Sequence, residues 1–508
     1  MILENWLKKR SYTDPDRLAL VYEGHEWTFA ELYQSSAQLA KTLAEPLGLE
    51  APHDLPKDLR VGMLCDNSPA SYLTILAFMH LGVQIVMLNT RLSVEELSYQ
   101  VQDAQLNHIF FTCDAEAKAH ALPSQSHEIE TLYRAATEAP TAEDVNLWVR
   151  PEFDLDQVMS ILYTSGTTGN PKGVMQSYGN HFWSSTSGAL TSGITQSDAW
   201  VCTVPLFHIS GLSILVRGLV YGIPVYLFRK FNASAVNDVL LAGKASIVSV
   251  VAYALTKLVA DLEERRSSGT AQSYPASFRY MLLGGGFFED SLLEHCERLG
   301  IPVIRSFGMS ETCSQVIATP LRPDHYKPGS SGVPLFPNQL RIASTDPDGE
   351  AQTLPAGQVG EIQIKAPALC VGYLGKPEKY AAAFTTDDWY RTGDIGLMDG
   401  DGFLFVKARL TDLIISGGEN VYPSEVEHVF ARHHAIAEVA VVGHEDEEWG
   451  QVPWAYLVLR EGEECPSDDA LISFAREHLA GYKLPKRFIW IDALPKTSIG
   501  KIQKFKLL

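Results

Sequence analysis

The amino-acid sequence predicts an α/β protein. A large N-terminal domain of doubly wound α/β subdomains carries a small β-barrel, and a small α+β unit follows at the C-terminus. Three observations predict this. Short apolar runs alternate with helical patterns as far as residue 306, which is the signature of parallel, doubly wound sheets. From about 328 to 405 the pattern changes to short strands, frequent glycine and hairpin turns such as Asp399-Gly400-Asp401-Gly402. With 508 residues, the chain is too long for one hydrophobic core.

The elements follow in order. Thr28-Phe29-Ala30-Glu31 reads as a capping box opening a helix through Leu32 and Leu39, and Ser93-Val94-Glu95-Glu96 reads as a second one. Between them, 60–64 and 83–88 are strand-like. The apolar region 73–88 is broken by His80, Gly82 and Gln84, so a buried helix, turn and strand explain it better than a membrane span. The polar, alanine-rich stretch 114–154 reads as a variable surface connection. Further strands are expected at 200–204, 225–228, 247–251, 279–283 and 303–306. The C-terminal unit should hold a helix starting near Pro423, strands at 439–442 and 455–459, a helix at 467–480 and a strand at 488–491. The division falls after Arg409, giving bodies of 1–409 and 410–508.

Composition narrows the function. The net charge of -20 argues against a nucleic-acid partner and against binding to an anionic membrane surface. It leaves room for a locally positive site that takes an anionic ligand. The seven cysteines are scattered, with no CxxC pair, which suits a reduced, cytoplasmic setting. The N-terminus lacks a charged segment followed by an apolar run, so no secretory signal is expected. Homo-oligomer formation is compatible with the sequence.

Residues 163–173, Tyr163-Thr164-Ser165-Gly166-Thr167-Thr168-Gly169-Asn170-Pro171-Lys172-Gly173, concentrate glycines and hydroxyls around one lysine. The strand-like run 158–163 precedes them. Ser177 can cap a following helix that carries Phe182, Trp183 and Leu190. Strand, glycine-rich loop and helix form a phosphate cradle, because bare N–H groups can close on an anion. The spacing differs from that of a Walker loop. Three further turns end strands: Pro205-Leu206-Phe207-His208, Gly284-Gly285-Gly286, and Phe307-Gly308-Met309-Ser310-Glu311-Thr312. In open α/β sheets ligands collect at the carboxyl ends of strands, so these turns should share one crevice with the loop.

These motifs, in this order from Thr28 to Lys501, resemble the adenylate-forming superfamily of acyl-CoA synthetases, peptide-synthetase adenylation domains and luciferases. The resemblance implies ATP, Mg2+ and CoA as cofactors and a small-molecule acid as substrate. It implies ATP binding by Thr164, Ser165, Gly166, Thr167, Thr168, Gly169 and Lys172, with Thr164 and Lys172 also counted as catalytic. Gly284, Gly285 and Gly286 would lie flat against the purine and Phe307 would stack on it, flanked by Ser306, Gly308, Met309 and Ser310. Glu311 matches the magnesium ligand, because magnesium prefers hard oxygens. Asp394 and Arg409 match the ribose contacts. Thr411 and Asp412 match the hinge of a mobile lid, and Ser416, Gly417 and Gly418 the lining of the pantetheine channel. Lys501 matches the catalytic lysine, placed to offset the repulsion between a carboxylate and a phosphate. His208 would border the reacting carboxylate.

Within the family, the stretches 179–181, 205–211, 310–315 and 414–420 resemble the branch that couples o-succinylbenzoate to CoA for menaquinone synthesis, and an acid pocket of Phe207, His208, Ser210, Gly285, Met309, Ser314 and Gln315 would offer that acid ring contacts and neutral donors. Another aryl, medium-chain or fatty acid would use the same machinery. A catalytically silent acyl- or nucleotide-binding protein, or an ATPase releasing ADP, are the alternatives from other classes. Retention of Lys501, Glu311 and Asp394 together argues against silence.

Overall fold

A computed structural model describes residues 1–49, 58–138, 144–164, 171–270, 273–284, 290–321, 327–344, 352–416, 419–446, 449–496 and 502–508. Two large sheets organise the N-terminal body. The first has seven strands in the order Gly372–Tyr373, Lys172–Ser177, Val158–Thr164, Gln84–Met87, Arg60–Leu64, His108–Phe111 and Gln125–Glu128. The run from Val158–Thr164 through Gln125–Glu128 is parallel. The second has nine strands, with a parallel centre formed by Leu18–Tyr22, Val225–Leu227, Trp200–Cys202, Ile247–Val250, Tyr280–Leu283 and Val303–Met309.

These strands are apolar on both faces because both faces are covered. Ile85 and Met87 point into the core shared by the two sheets, and Val86 and Leu88 into a separate cluster under helix Val94–Asp103. Tyr280 and Leu282 likewise face the shared core, while Met281 and Leu283 face the outer helices. Helix Pro69–Leu81 lies within the shared core, and every residue from Ala70 to Leu81 is buried. Its lack of a polar stripe follows from that position. Among the described residues no helix is long and apolar enough to cross a membrane.

A four-stranded antiparallel sheet follows, ordered Gln339–Ala343, Val359–Lys365, Tyr390–Met398 and Leu404–Arg409. It packs around Val316, Ile342, Ile362, Ile364 and Leu404. The C-terminal unit has a five-stranded sheet, with Gly450–Leu459 flanked by Ile414–Ser416, Ile436–Asp446 and Arg487–Trp490. Helices Pro423–Ala431 and Asp468–Arg476 cover one face through Val426, Phe430 and Leu471.

Both capping boxes form, Thr28 with Glu31 and Ser93 with Glu96. Three expectations are corrected. Residues 163–173 do not lead directly into a helix. Lys172–Ser177 is a strand that folds back antiparallel on Val158–Thr164, and helix Tyr178–Ser192 starts only after it, capped by Ser177. The stretch 114–154 is built into the fold. It supplies edge strand Gln125–Glu128 and helix Ile129–Glu138, which buries Ile129 and Ala136. The strand expected at 303–306 runs on to Met309 and forms a hairpin with Ser314–Ala318.

Candidate active site

The hairpin places Thr164 opposite Lys172 across the antiparallel pair. Thr164 Oγ1 is buried and has no hydrogen-bond partner among the described residues. Lys172 Nζ lies 2.8 Å from Glu311 Oε1 and donates to the Tyr373 hydroxyl at 2.6 Å. That hydroxyl donates to Glu311 Oε1 at 3.2 Å and shares a 2.8 Å hydrogen bond with Tyr390. Glu311 is only 4% exposed. The lysine expected on phosphate and the carboxylate expected on magnesium thus meet, although they come from different sheets.

Hydrogen bonds hold the two sheets in this register. Ser160 Oγ donates to Gln176 Oε1 at 2.9 Å, and Gln176 Nε2 donates to the Ser310 carbonyl at 2.7 Å. The Cys370 N–H donates to the Glu311 carbonyl at 2.7 Å. His181 joins Ser160 Oγ at 2.8 Å to Cys313 Sγ at 3.3 Å. Burial lowers its pKa to about 3, so it is neutral at physiological pH.

The residues fit Mg-ATP. An orphaned buried hydroxyl cannot stay unpaired without cost, and a phosphate oxygen would satisfy it. Magnesium takes one or two carboxylates and completes its shell with phosphate oxygens and water, so Glu311 suffices as a protein ligand. Among the described residues no cluster of three or more His, Cys, Asp or Glu side chains could hold a metal. Asp394 and Arg409 face each other across one antiparallel rung, with Nε 2.8 Å from Oδ1. The two expected ribose contacts are therefore adjacent.

Gly284 follows strand Tyr280–Leu283, and a Cβ there would stand 3.0 Å from Ser306 Oγ. Phe307 packs partly against the cluster under the four-stranded sheet, so some of its ring is core. Gly308 has a structural reason of its own. A Cβ would fall 2.1 Å from the Ser314 carbonyl, where the hairpin carries a bulge, so the chain crossing itself demands glycine. Ser165 to Asn170, Gly285, Gly286, Gly417, Gly418 and Lys501 lie outside the described residues, as does the side chain of Thr411.

Several of the residues expected around the acid lie at or beside helix Ile209–Tyr221. His208 is its N-cap residue. Burial, with the charge of Arg91 second, lowers its pKa to about 4, so it too is neutral. Cys313 at φ 51° and Ser314 at φ 102° occupy left-handed backbone as successive non-glycine residues. Such strain persists only where surrounding contacts over-determine it. Here Ser184 Oγ donates to the Cys313 carbonyl at 2.6 Å and Thr312 Oγ1 to the Ser314 carbonyl at 2.7 Å. Ser213 Oγ approaches Ser314 Oγ at 3.5 Å and donates to the Ser210 carbonyl at 3.3 Å. Ser210 itself is exposed at the helix start and joins the group only through Ser213. Gln315 Oε1 is buried without a partner.

The sequence reading missed Arg217. It is 1% exposed, the largest fully buried side chain among the described residues, and sits over the Trp200 ring at 5.4 Å. Nη2 donates to Ser314 Oγ at 3.3 Å, and Nε has no partner. Among the described residues no carboxylate lies within ion-pair reach of it. The available signal was a lone charge in an otherwise apolar helix, spaced with Ser213 and Tyr221 on one face.

In the C-terminal unit, Ser416 is buried and pairs with Glu419 across a hairpin. Two lysines that could be confused with Lys501 have structural partners. Lys496 Nζ lies 2.6 Å from Glu438 and Lys504 Nζ 2.7 Å from Glu427. Leu410–Asp412 forms a 3₁₀ turn between the four-stranded sheet and this unit.

Comparison with known proteins gives a concordant result. The family model described as AMP-binding enzyme matches residues 7–374, and that of the AMP-binding enzyme C-terminal domain matches 425–501. A 2-succinylbenzoate–CoA ligase from Listeria monocytogenes is 41% identical over 505 residues, covering 99% of this chain and 99% of its own. The o-succinylbenzoate CoA synthetase of Bacillus subtilis, solved with the acyl-adenylate intermediate OSB-AMP, superposes with a TM-score of 0.89 at 36% identity. It covers 100% of this chain and 98% of its own. The same enzyme with ATP and magnesium gives 0.88 at 36% identity, with full coverage of both chains.

Proposed function

Because the chain belongs to the family of AMP-binding enzymes, we propose that it is an AMP-forming acid–CoA ligase whose acid is 2-succinylbenzoate. The observation that carries the choice of acid is Arg217. A guanidinium buried without a carboxylate costs several kcal/mol unless a partner arrives. 2-Succinylbenzoate has two carboxylates, of which adenylation uses one. Arg217, with Ser314, pairs the other, and the planar fork of arginine suits a carboxylate in bidentate geometry. A fatty acid would leave the charge unpaired.

One carboxylate oxygen attacks the α-phosphorus of ATP and the bond to pyrophosphate breaks. The CoA thiol then attacks the acyl carbonyl and AMP leaves. Thr164 and Lys172, with the backbone and hydroxyls of Ser165 to Gly169, grip the phosphates. Glu311 would hold the magnesium ion that accompanies ATP, which supplies positive charge to the phosphates. Lys172 then exchanges its contact with Glu311 for one with phosphate. Gly284 to Gly286, Ser306, Phe307 and the turn through Ser310 enclose the purine, and Asp394 with Arg409 takes the ribose. Phe207, His208, Ser210, Met309 and Gln315 line the rest of the acid site. A neutral His208 can donate to the carboxylate without trapping it as a tight ion pair.

Lys501 brings a cation to the reacting acid. We divide the chain after Arg409, with Thr411 and Asp412 as the pivot of a lid and Ser416 to Gly418 beside the pantetheine arm. The seven free thiols suit the reducing cytoplasm. The test is a panel of acids scored by pyrophosphate release: 2-succinylbenzoate, benzoate, a medium-chain fatty acid and 4-oxo-4-phenylbutanoate. The highest kcat/KM is expected for 2-succinylbenzoate. A fatty acid or benzoate used better would overturn the choice of acid.

A further inference from the structure

We infer that Lys376, Tyr99 and Asp103 are positioning residues for ATP, because they fix both stems of the hairpin that carries the phosphate-binding residues. The inference rests on the AMP-forming reading, but not on which acid is used. Pro171 is the last residue before Lys172, and its carbonyl accepts two hydrogen bonds. Lys376 Nζ and the Tyr99 hydroxyl each donate to it at 3.2 Å. Lys376 Nζ also donates to the Tyr99 hydroxyl at 3.2 Å and lies 3.5 Å from Asp103 Oδ1. The other carboxylate oxygen, Asp103 Oδ2, accepts from the Tyr163 hydroxyl at 2.7 Å.

Tyr163 immediately precedes Thr164 on the incoming strand. One ammonium and one carboxylate therefore tie the incoming stem at Tyr163 to the outgoing stem at Pro171. Tyr99 and Asp103 are one turn apart on helix Val94–Asp103, whose N-terminus the Ser93–Glu96 box holds closed. The clamp is thus built on a rigid element. Lys376 comes three residues after Tyr373, which contacts Lys172, and the Leu374 N–H donates to the Gly173 carbonyl at 2.8 Å. One short segment holds the outgoing stem at Pro171, Lys172 and Gly173.

The ion pair is partly exposed, with Lys376 at 28% and Asp103 at 20%. Pairs of that kind add little to global stability, so its consequence is geometric. A loop that grips a triphosphate through backbone and hydroxyl donors depends on where its ends stand, and a displacement of about 1 Å can cost a hundredfold in rate.

The test is acid-dependent ATP–pyrophosphate exchange with Lys376→Met, Lys376→Arg and Asp103→Asn, each also melted thermally. Lys376→Met should raise KM for ATP about tenfold, the size of one lost charge-assisted hydrogen bond. KM for the acid, the melting temperature and thioester formation from supplied acyl-adenylate should stay as in the parent. Lys376→Arg should restore most of the ATP affinity, and Asp103→Asn should show the same selective defect. An unchanged KM for ATP in Lys376→Met would overturn the inference. So would equal defects in both KM values together with a lowered melting temperature, which would mark a structural role. If the unmodified protein gives no acid-dependent exchange, the AMP-forming reading fails instead.

Discussion

Replacing Arg217 by methionine separates function from stability. Methionine keeps the length and apolar stem of the side chain and removes the guanidinium. In the proposed complex, that group makes charge-assisted hydrogen bonds to the second carboxylate, each worth about 1.5–3 kcal/mol. Counting ~3 kcal/mol for the pair, after partial compensation by water, gives a loss of about a hundredfold in kcat/KM for 2-succinylbenzoate. KM for ATP should not move. The fold, by contrast, should not suffer. It gives up the 3.3 Å bond to Ser314, worth ~1 kcal/mol, and the cation–π contact with Trp200, worth about 0.5–1 kcal/mol, and is relieved of a buried charge with no carboxylate partner, which costs several kcal/mol. The melting temperature should hold or rise. The assay compares 2-succinylbenzoate with 4-oxo-4-phenylbutanoate, which lacks the ring carboxylate. The parent enzyme should prefer the diacid by about a hundredfold, and Arg217→Met should erase the preference. A variant that still discriminates, or one that melts several degrees lower with both substrates equally impaired, would refute the reasoning.

Three other outcomes are expected. Lys501→Ala should slow acyl-adenylate formation by about 10²-fold or more while sparing thioester formation from supplied acyl-adenylate, as measured in separate half-reaction assays. Burial lowers His80 and His181 to about 3, against 6.5 when free, so the folded chain resists protonating them. Their contribution is intact above pH 6.5 and is lost as pH falls toward 3. At about pH 5 the loss is ~2 kcal/mol each, readable as a falling melting temperature, and His181→Asn should remove part of that dependence. Gly308→Ala should destabilise the fold by ~3 kcal/mol, measured by denaturant titration, because its Cβ would collide with backbone rather than with a movable side chain.

Much of this was legible where local chemistry decides structure. The Thr28 and Ser93 capping boxes and the buried helix Pro69–Leu81 follow from residue type and spacing alone. The second strand of the phosphate hairpin was not. Lys172-Gly173 at its start reads as loop, and only pairing with Val158–Thr164 and Gly372–Tyr373 makes it a strand. Edge strand Gln125–Glu128 carries polar residues because it has a neighbour on only one side, so its sequence resembles a surface connection. The meeting of Lys172 with Glu311 is invisible in sequence because they stand 139 positions apart, and because Tyr373, which bridges them, is far from both. Arg217 escaped notice because a lone arginine is usually a solvated one. Its burial is a tertiary fact, set by Trp200 and Ser314.

The central claim is that this chain cleaves ATP between the α- and β-phosphates in making a thioester. The most direct measurement is the identity of the nucleotide released when the purified protein meets 2-succinylbenzoate, Mg-ATP and CoA. One AMP and one pyrophosphate for each acyl-CoA formed is the predicted result. ADP with inorganic phosphate, or no acid-dependent nucleotide cleavage at all, would contradict it.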